Sequence, residues 1–385
     1  MEKPLPDSPA RRARWAVAAI FLTHGLLVGA WVPHIPLAKE RLAAGAGLFG
    51  LALLALAAGA VLAMPLAGAL INRFGSARMT MVTGVLFCLA FLLPVNAPNL
   101  AGFMLGGFLM GATIGSMDVS MNAHGIAVEK ALRKPTMSMF HGAFSLGGML
   151  GAFGGAALLK LFGAPAQALV ASAVCLIVLR TAGTALLPAA TDKGLSGSHF
   201  GWPTRATIGL GLLCFLALMV EGSILDWGAI MLREKFAVSA SLAALGFGVY
   251  QGGMAGARFL GDALRQRFGA VRLIQVSAAL AGFGTALALL SPTVGLAIVA
   301  FVVAGIGIGN VAPVLFAGGG RLEPQAPGRG IAAVTTLGYS GFLSGPPVIG
   351  FAAQLSSLNT ALFITVAAAL VIAVFARMVD AADAF

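Results

Sequence analysis

The hexapeptide Arg73-Phe74-Gly75-Ser76-Ala77-Arg78 returns in altered form as Arg267-Phe268-Gly269-Ala270-Val271-Arg272. The two start at 73 and 267, an offset of 194 residues in a chain of 385. Each lies between two long apolar stretches. The same offset carries Glu129 onto Glu323, Gly147 onto Gly341 and Gly151 onto Gly345. One offset shared by unrelated local features means that the chain is one half written twice. It must therefore fold into two similar halves, each built from apolar segments.

Those segments dominate the chain. Hydrophobic residues make up 59% of it and charged residues 10%, too little charge to coat a soluble core of this size. Apolar runs of about 20 residues, the length that crosses a bilayer as a helix, recur from end to end. The pattern is that of an all-α polytopic membrane protein, since a β-barrel would alternate in short segments. A net charge of +11 raises nucleic acid as a partner. The basic residues, however, sit in short caps between apolar runs, where they set topology. Cys88, Cys175 and Cys214 each fall inside an apolar run without metal-ligand spacing, and are expected to pack as small apolar groups. Met1–Ala10 is polar, and the first apolar run is too long for a signal-peptide core, so no cleaved leader is expected.

Twelve spans follow in order: Trp15–Leu37, Gly47–Ile71, Met79–Val95, Leu100–Val128, Met137–Leu161, Ala166–Leu187, Ala206–Leu232, Ser239–Leu264, Val271–Leu290, Thr293–Ala317, Ile331–Gln354 and Asn359–Arg377. Asn96-Ala97-Pro98-Asn99 breaks the chain between the third and fourth. Lys130, Arg133, Lys134 and Pro135 cap the fourth. Asp192, Lys193, Gly194, Ser196, Gly197, Ser198 and Pro203 mark a polar linker. The domains expected are a segment 1–13, a six-helix bundle 14–187, a linker 188–205, a second six-helix bundle 206–378 and a tail 379–385. Lys39, Arg41, Lys160, Arg233 and Lys235 are five of the 24 Lys and Arg and fall at one membrane face; the rest fall at the other. The excess of basic residues places that second face, with both termini and the hexapeptides, in the cytoplasm.

Around the first hexapeptide the chain reads Gly68-x-x-x-Asn72-Arg73-Phe74-Gly75-x-x-Arg78. This resembles the signature loop of the major facilitator superfamily, at the place in a twelve-span topology where that family carries it. The family's acidic residue in the loop is Asn72 here, which removes a charge from the usual gate network. Met117-Asp118-Val119-Ser120-Met121-Asn122-Ala123, Phe140-His141-Gly142-Ala143-Phe144-Ser145, Glu221-Gly222-x-x-x-Asp226-Trp227 and Gly338-Tyr339-x-Gly341-Phe342-x-x-Gly345-Pro346-Pro347 look like a bacterial group related to fucose permease. The resemblance implies two six-helix bundles around a central cavity, cargo bound near the midplane, and rocking of one bundle against the other. It also implies that the signature-loop Arg lies near neighbouring helix ends. Arg73 and Arg267 with Glu129 and Glu323, both repeat-equivalent, are then expected to form a cytoplasmic gate.

Several polar residues fall at mid-depth. Asp118, Asn122 and Glu129 are spaced 4 and 7 apart and share one helical face. An acid near the centre of a span costs about 2.5–3.5 kcal/mol on insertion scales, so it faces a cavity or a partner. Asp118 is a candidate proton carrier, or a helix–helix hydrogen bond. Glu221 is a second candidate. Asp226, five residues on, points elsewhere in a regular helix and is expected, beside Trp227, at the outer mouth or as an interfacial anchor. His24 and Trp31 share a face of the first span, and His24 is either a cargo ligand or a packed polar group. His34 is expected at the interface, and His141 at the start of the fifth span. Tyr250, Gln251, Asn310 and Tyr339 lie at similar depth in separate spans and suit a neutral polyhydroxylated or amphipathic cargo. The glycines of the fifth and eleventh spans permit close helix contact, and Pro346-Pro347 should kink the latter.

The expectation is a monomeric secondary transporter of a small solute in a bacterial inner membrane, coupled to protons and surrounded by lipid. No enzyme, nucleic-acid, metal or cofactor motif is present. Efflux of amphipathic compounds is a second reading. A non-transporting membrane sensor on the same scaffold is a third.

Overall fold

A computed structural model describes residues 9–134, 136–189, 202–323 and 327–382. Most of the expected linker, including Asp192, Lys193, Gly194, Ser196, Gly197 and Ser198, lies outside the described residues, as does Pro135.

The first half comprises α1 (Pro9–Trp31), α2 (His34–Arg41), α3 (Ala46–Phe74), α4 (Ser76–Ala90), α5 (Leu92–Val95), α6 (Leu100–Leu132), α7 (Met137–Phe162) and α8 (Ala164–Gly183). The second comprises α9 (Ile208–Phe236), α10 (Ala240–Phe268), α11 (Ala270–Leu290), α12 (Val294–Ile308), α13 (Val311–Leu322), α14 (Pro327–Leu355), α15 (Leu358–Ala361) and α16 (Phe363–Val374), closed by a 3-10 turn at Ala376–Ala382. Joined across short breaks, the described residues make twelve crossing segments in two six-helix bundles. Nine of these segments are apolar and long enough to cross a membrane by length and composition. The first span breaks at Val32-Pro33, the tenth at Gly309-Asn310 and the third at Phe91, where regular helix gives way for one or two residues.

The repeat is visible in the backbone. Gly75 and Gly269 turn the chain between helices with φ of 85° and 77°, a region open to glycine at no cost. That requirement explains the glycine of each hexapeptide. Ala43 and Ala237, one offset apart, both adopt positive φ, at 48° and 52°. Asn99 and Thr293, another such pair, both cap helices: their side chains accept from the backbone N–H of Gly102 and Leu296.

Within each half, glycines bring two helices into backbone contact. A Cβ on Gly25 of α1 would lie 1.9 Å from the Phe144 carbonyl oxygen of α7, and one on Gly147 would lie 2.0 Å from that of Leu22. The second half repeats the contact: a Cβ on Gly341 of α14 would lie 2.1 Å from the Phe215 carbonyl oxygen of α9. With lipid outside, such close packing rather than a hydrophobic drive holds transmembrane helices together. The halves then meet along two seams, α7 with α10 and α3 with α14. α14 continues as helix through Pro346 and Pro347.

Candidate functional site

Between the seams lies a cavity of about 270 Å³. Its walls are mostly Leu, Val, Ala, Met and Phe, so the polar groups in it stand out. These are His24 and Trp31 from α1, Asp118 from α6, His141 from α7, Glu221 and Asp226 from α9, Arg258 from α10 and Tyr339 from α14.

The repeat explains how asymmetry arises here. Moved by 194 positions, Asp118 falls on Ala312, His24 on Leu218 and Arg258 on Met64, and all three of these apolar mates also line the cavity. The duplicated scaffold thus supplies paired wall positions, of which one member is polar and the other is not.

Asp118 is tied directly to the opposite half, and Glu221 indirectly through Arg258. Tyr339 donates its hydroxyl to Asp118 Oδ2 at 2.9 Å, from α14 to α6. Asn122 donates to the other oxygen, Asp118 Oδ1, at 3.2 Å and to the Asp118 carbonyl at 2.8 Å. Glu221 Oε1 lies 3.7 Å from Arg258 Nη2. Arg258, 8% exposed, also donates through Nη1 to Ser145 Oγ of α7 at 2.7 Å and through Nε to the Gly309 carbonyl at 3.2 Å. An ion pair held this deep needs such added hydrogen bonds to offset its desolvation. His24 is buried against the rings of Phe87 and Phe144 at 5.4 and 5.5 Å, and neither of its nitrogens has a protein partner.

Other sequence candidates lie elsewhere. Asn122 is outside the lining and braces Asp118 instead. Tyr250 and Gln251 are buried beside the α7–α10 seam and are not among the lining residues, with the Tyr250 hydroxyl and Gln251 Oε1 lacking partners among the described residues. Asn310 lies in a different, lipid-side groove and donates to the Ala257 carbonyl at 3.0 Å. Depth places a residue in the membrane, but the face it takes depends on neighbours that depth does not specify. Asp226 lines the same cavity as Glu221, against the expectation that the two point to different places, because that cavity is wider than one helical face. His34 is buried within the protein and bonded to Gln167, with Trp31 stacked on it.

At the hexapeptide end, Arg73 and Arg267 are exposed and lie over the Phe74 and Phe268 rings at 5.2 and 5.3 Å. Glu129 accepts from the backbone N–H of Thr136 and Met137 at 2.6 and 3.0 Å, closing the start of α7. Glu323 accepts from the Thr204 hydroxyl at 2.9 Å. Among the described residues these four make no ion pair with one another.

The ion pairs between halves are at the other end. Lys39 Nζ meets Glu234 Oε1 at 2.7 Å, and Arg233 meets Glu40 through Nε and Nη2 at 2.5 and 2.6 Å. Lys39-Glu40-Arg41 and Arg233-Glu234-Lys235 are themselves one offset apart. The first two positions of each tripeptide pair crosswise, as a two-fold axis requires. The third position serves its own half: Arg41 donates to the Val95 carbonyl, and Lys235 to that of Leu289, again one offset apart. Sequence reasoning missed Arg258 and this latch. Arg258 lies inside the expected eighth span and is not singled out by the sequence; the two tripeptides are legible as a repeat but not as a contact.

Similarity to known proteins agrees with this architecture. A family model described as Major Facilitator Superfamily matches residues 16–202. An uncharacterised MFS-type transporter of Yersinia pestis is 35% identical over 93% of this chain and 94% of its own length. The chain belongs to the major facilitator superfamily. The membrane protein MosC of Rhizobium meliloti is 32% identical over 93% of this chain and 88% of its own. Among solved structures, a mutant of the nucleoside transporter NupG superposes with a TM-score of 0.73 at 14% identity, covering 95% of this chain and 99% of that one. The fucose:proton symporter FucP of E. coli gives 0.65 at 14% identity, covering 95% and 98%. At that identity the likeness is one of fold. As a superfamily member this chain is a multi-pass membrane transporter of small molecules, not an enzyme.

Proposed function

We propose that the chain moves a small polyhydroxylated solute by alternating access, with Asp118 and Glu221 carrying the coupled proton. The observation that carries this reading is that two of the three cavity acids stand at polar links between the halves. Asp118 accepts from Tyr339 across the cavity, and Glu221 neighbours Arg258, which reaches Ser145 of the other half. A hydrogen bond to an ionised carboxylate is roughly twice as strong as one between neutral groups. Protonation of Asp118 therefore loosens one inter-half link. Protonation of Glu221 frees Arg258 to redistribute. Proton uptake is in this way converted into freedom to rock.

The cargo binds near His24, whose ring nitrogens are free to hydrogen-bond it, with Trp31 as a stacking face. A cavity of about 270 Å³ is at the small end of ligand sites, which favours a sugar-sized solute over bulky amphipathic compounds. The nucleoside and fucose named for the two solved neighbours are solutes of this kind. The bundle sits as a monomer in the bacterial inner membrane with both termini cytoplasmic, as the basic-residue bias supports. Its ion-paired end is then periplasmic. The absence of pairing among Arg73, Glu129, Arg267 and Glu323 supports a gate parted in this state.

The test begins with a thermal-shift screen of sugars, polyols and nucleosides, followed by transport of the hits in proteoliposomes. Wild type should show both counterflow and accumulation driven by an inward proton gradient. Asp118→Asn should keep counterflow and lose the gradient response. If Asp118→Asn accumulates cargo as wild type does, the assignment of the proton to Asp118 is wrong. Binding without counterflow would favour a sensor, and gradient-driven expulsion of amphipathic dyes would favour efflux.

A further inference from the structure

A second and larger concavity, about 790 Å³, opens sideways between α7 of the first half and α10, α11 and α12 of the second. It is distinct from the central cavity. Its floor is the glycine row of α10. A Cβ on Gly256 would meet nothing within 4 Å, so the groove is hollow there rather than filled by a neighbour. Its rims are apolar and face outward, with Leu260 59% and Val276 52% exposed. One end is different. There Arg272 lines the groove beside Phe268, and Arg267 lies over the Phe268 ring.

In a membrane such a trough is filled by neither water nor vacuum. Water finds almost no polar partner along it, and an empty trough forfeits dispersion contacts along both walls. An acyl chain fits the walls, and it brings a headgroup to a fixed level. The level here is that of Arg267 and Arg272, whose planar guanidinium groups suit a phosphate. Basic pockets between membrane helices hold anionic headgroups in this way.

We propose that this groove is a binding site for one anionic phospholipid, its acyl chain along Gly252 and Gly256 and its phosphate at Arg272 and Arg267. Because Met149 and Phe153 of α7 form one wall while α10 is the floor and α11 and α12 the other wall, the lipid spans the seam between the halves. Its occupancy therefore responds to the rocking of one half on the other. The proposal depends on membrane insertion and not on which solute or ion the central cavity carries.

Native mass spectrometry of the full chain in detergent, titrated with phosphatidylglycerol or phosphatidylcholine of the same chain length, tests it. Wild type should retain one phosphatidylglycerol at least several-fold better than phosphatidylcholine. Arg267→Ala with Arg272→Ala should bring that ratio close to one, since both side chains are exposed and their loss leaves the fold intact. Gly256→Leu, which fills the hollow, should lower retention of both lipids together without changing their ratio. Val276→Trp is a second filling variant should the first not fold. An unchanged ratio in the arginine double variant overturns the proposal. So does full lipid retention in a folded filling variant, or a dimer that the filling variant dissociates, which would make the occupant a second copy of the chain.

Discussion

At one end of the bundle, Lys39-Glu40 and Arg233-Glu234 hold the halves together through crosswise ion pairs, backed by Gly50 of α3 lying against the Pro346 carbonyl of α14. At the hexapeptide end the charges are more numerous, but Glu129, Arg73 and Arg267 are spent within their own halves, and Asp262 reaches across through a hydrogen bond from Ser138 at 2.9 Å rather than an ion pair. Glu129 closes its own half's α7, and Arg73 and Arg267 lie over their neighbouring phenylalanines. Both ends derive from the same duplicated sequence. What separates them is the partner each charge finds. A charge that meets its mate's counter-charge across the two-fold axis becomes a latch. One that meets a backbone amide of its own half becomes a helix cap. Charge content alone therefore does not say which end of such a bundle is tied.

The largest effect should come from wedging the tied end. A Cβ at Gly50 would stand 2.6 Å from the Pro346 carbonyl oxygen, a backbone atom that cannot swing aside. Gly50→Leu should therefore part α3 from α14 there. A cysteine introduced at Ala57 in the cavity wall should react with an impermeant thiol reagent from that side at least tenfold faster than in the Gly50 parent. Equal rates would mean that helix packing there does not hold the end shut.

Reversing one charge comes next. Arg233→Glu sets two carboxylates against each other at Glu40, and like charges placed together cost up to several kcal/mol. The side chains are partly exposed, at 25% for Arg233 and 53% for Glu40. Solvent screening therefore cuts the figure to about 1–2 kcal/mol, or roughly five- to thirtyfold in the population of the tied state. Adding Glu40→Arg should restore the pair and the slow labelling. Failure of the double variant to recover would show that the charges only decorate a contact made by α3 and α14. The same latch should weaken as salt rises from 0.01 to 1 M, over which the Debye length falls from about 30 to about 3 Å, whereas the Gly50→Leu effect should not change.

The fold and part of the cavity were legible in the sequence, for physical reasons. The repeat and the span lengths follow from the bilayer's demand for apolar helices. Gly75 and Gly269 follow from the positive φ that the turn demands. Asp118 and Glu221 are conspicuous because carboxyl groups are costly at that depth. Arg258 was not legible as a cavity group, because its long side chain lies within the last three turns of α10, where basic residues ordinarily mark a membrane face. Tyr250, Gln251 and Asn310 share the depth of the cavity but not its direction. The latch needed the three-dimensional fact that α2 of one half ends beside α9 of the other.

The smallest effect concerns Glu129, and it separates the two ends most sharply. If it belonged to a tie between the halves in this state, Glu129→Gln would alter exposure of the cavity. Instead its carboxylate holds the N–H groups of Thr136 and Met137 at the start of α7. Glutamine keeps the acceptor oxygen and loses the charge, at about 0.3–1 kcal/mol for an anion at a helix start. The expected result is a small drop in thermal stability with labelling of the Ala57 cysteine unchanged from the tied side. Arg73→Ala should leave that labelling unchanged as well, since its guanidinium only covers Phe74. A large change in either variant would mean that Glu129 and Arg73 reach across the halves in the other conformation. The hexapeptide end would then be a latch that this state has released, and the difference between the ends would be one of timing rather than of chemistry.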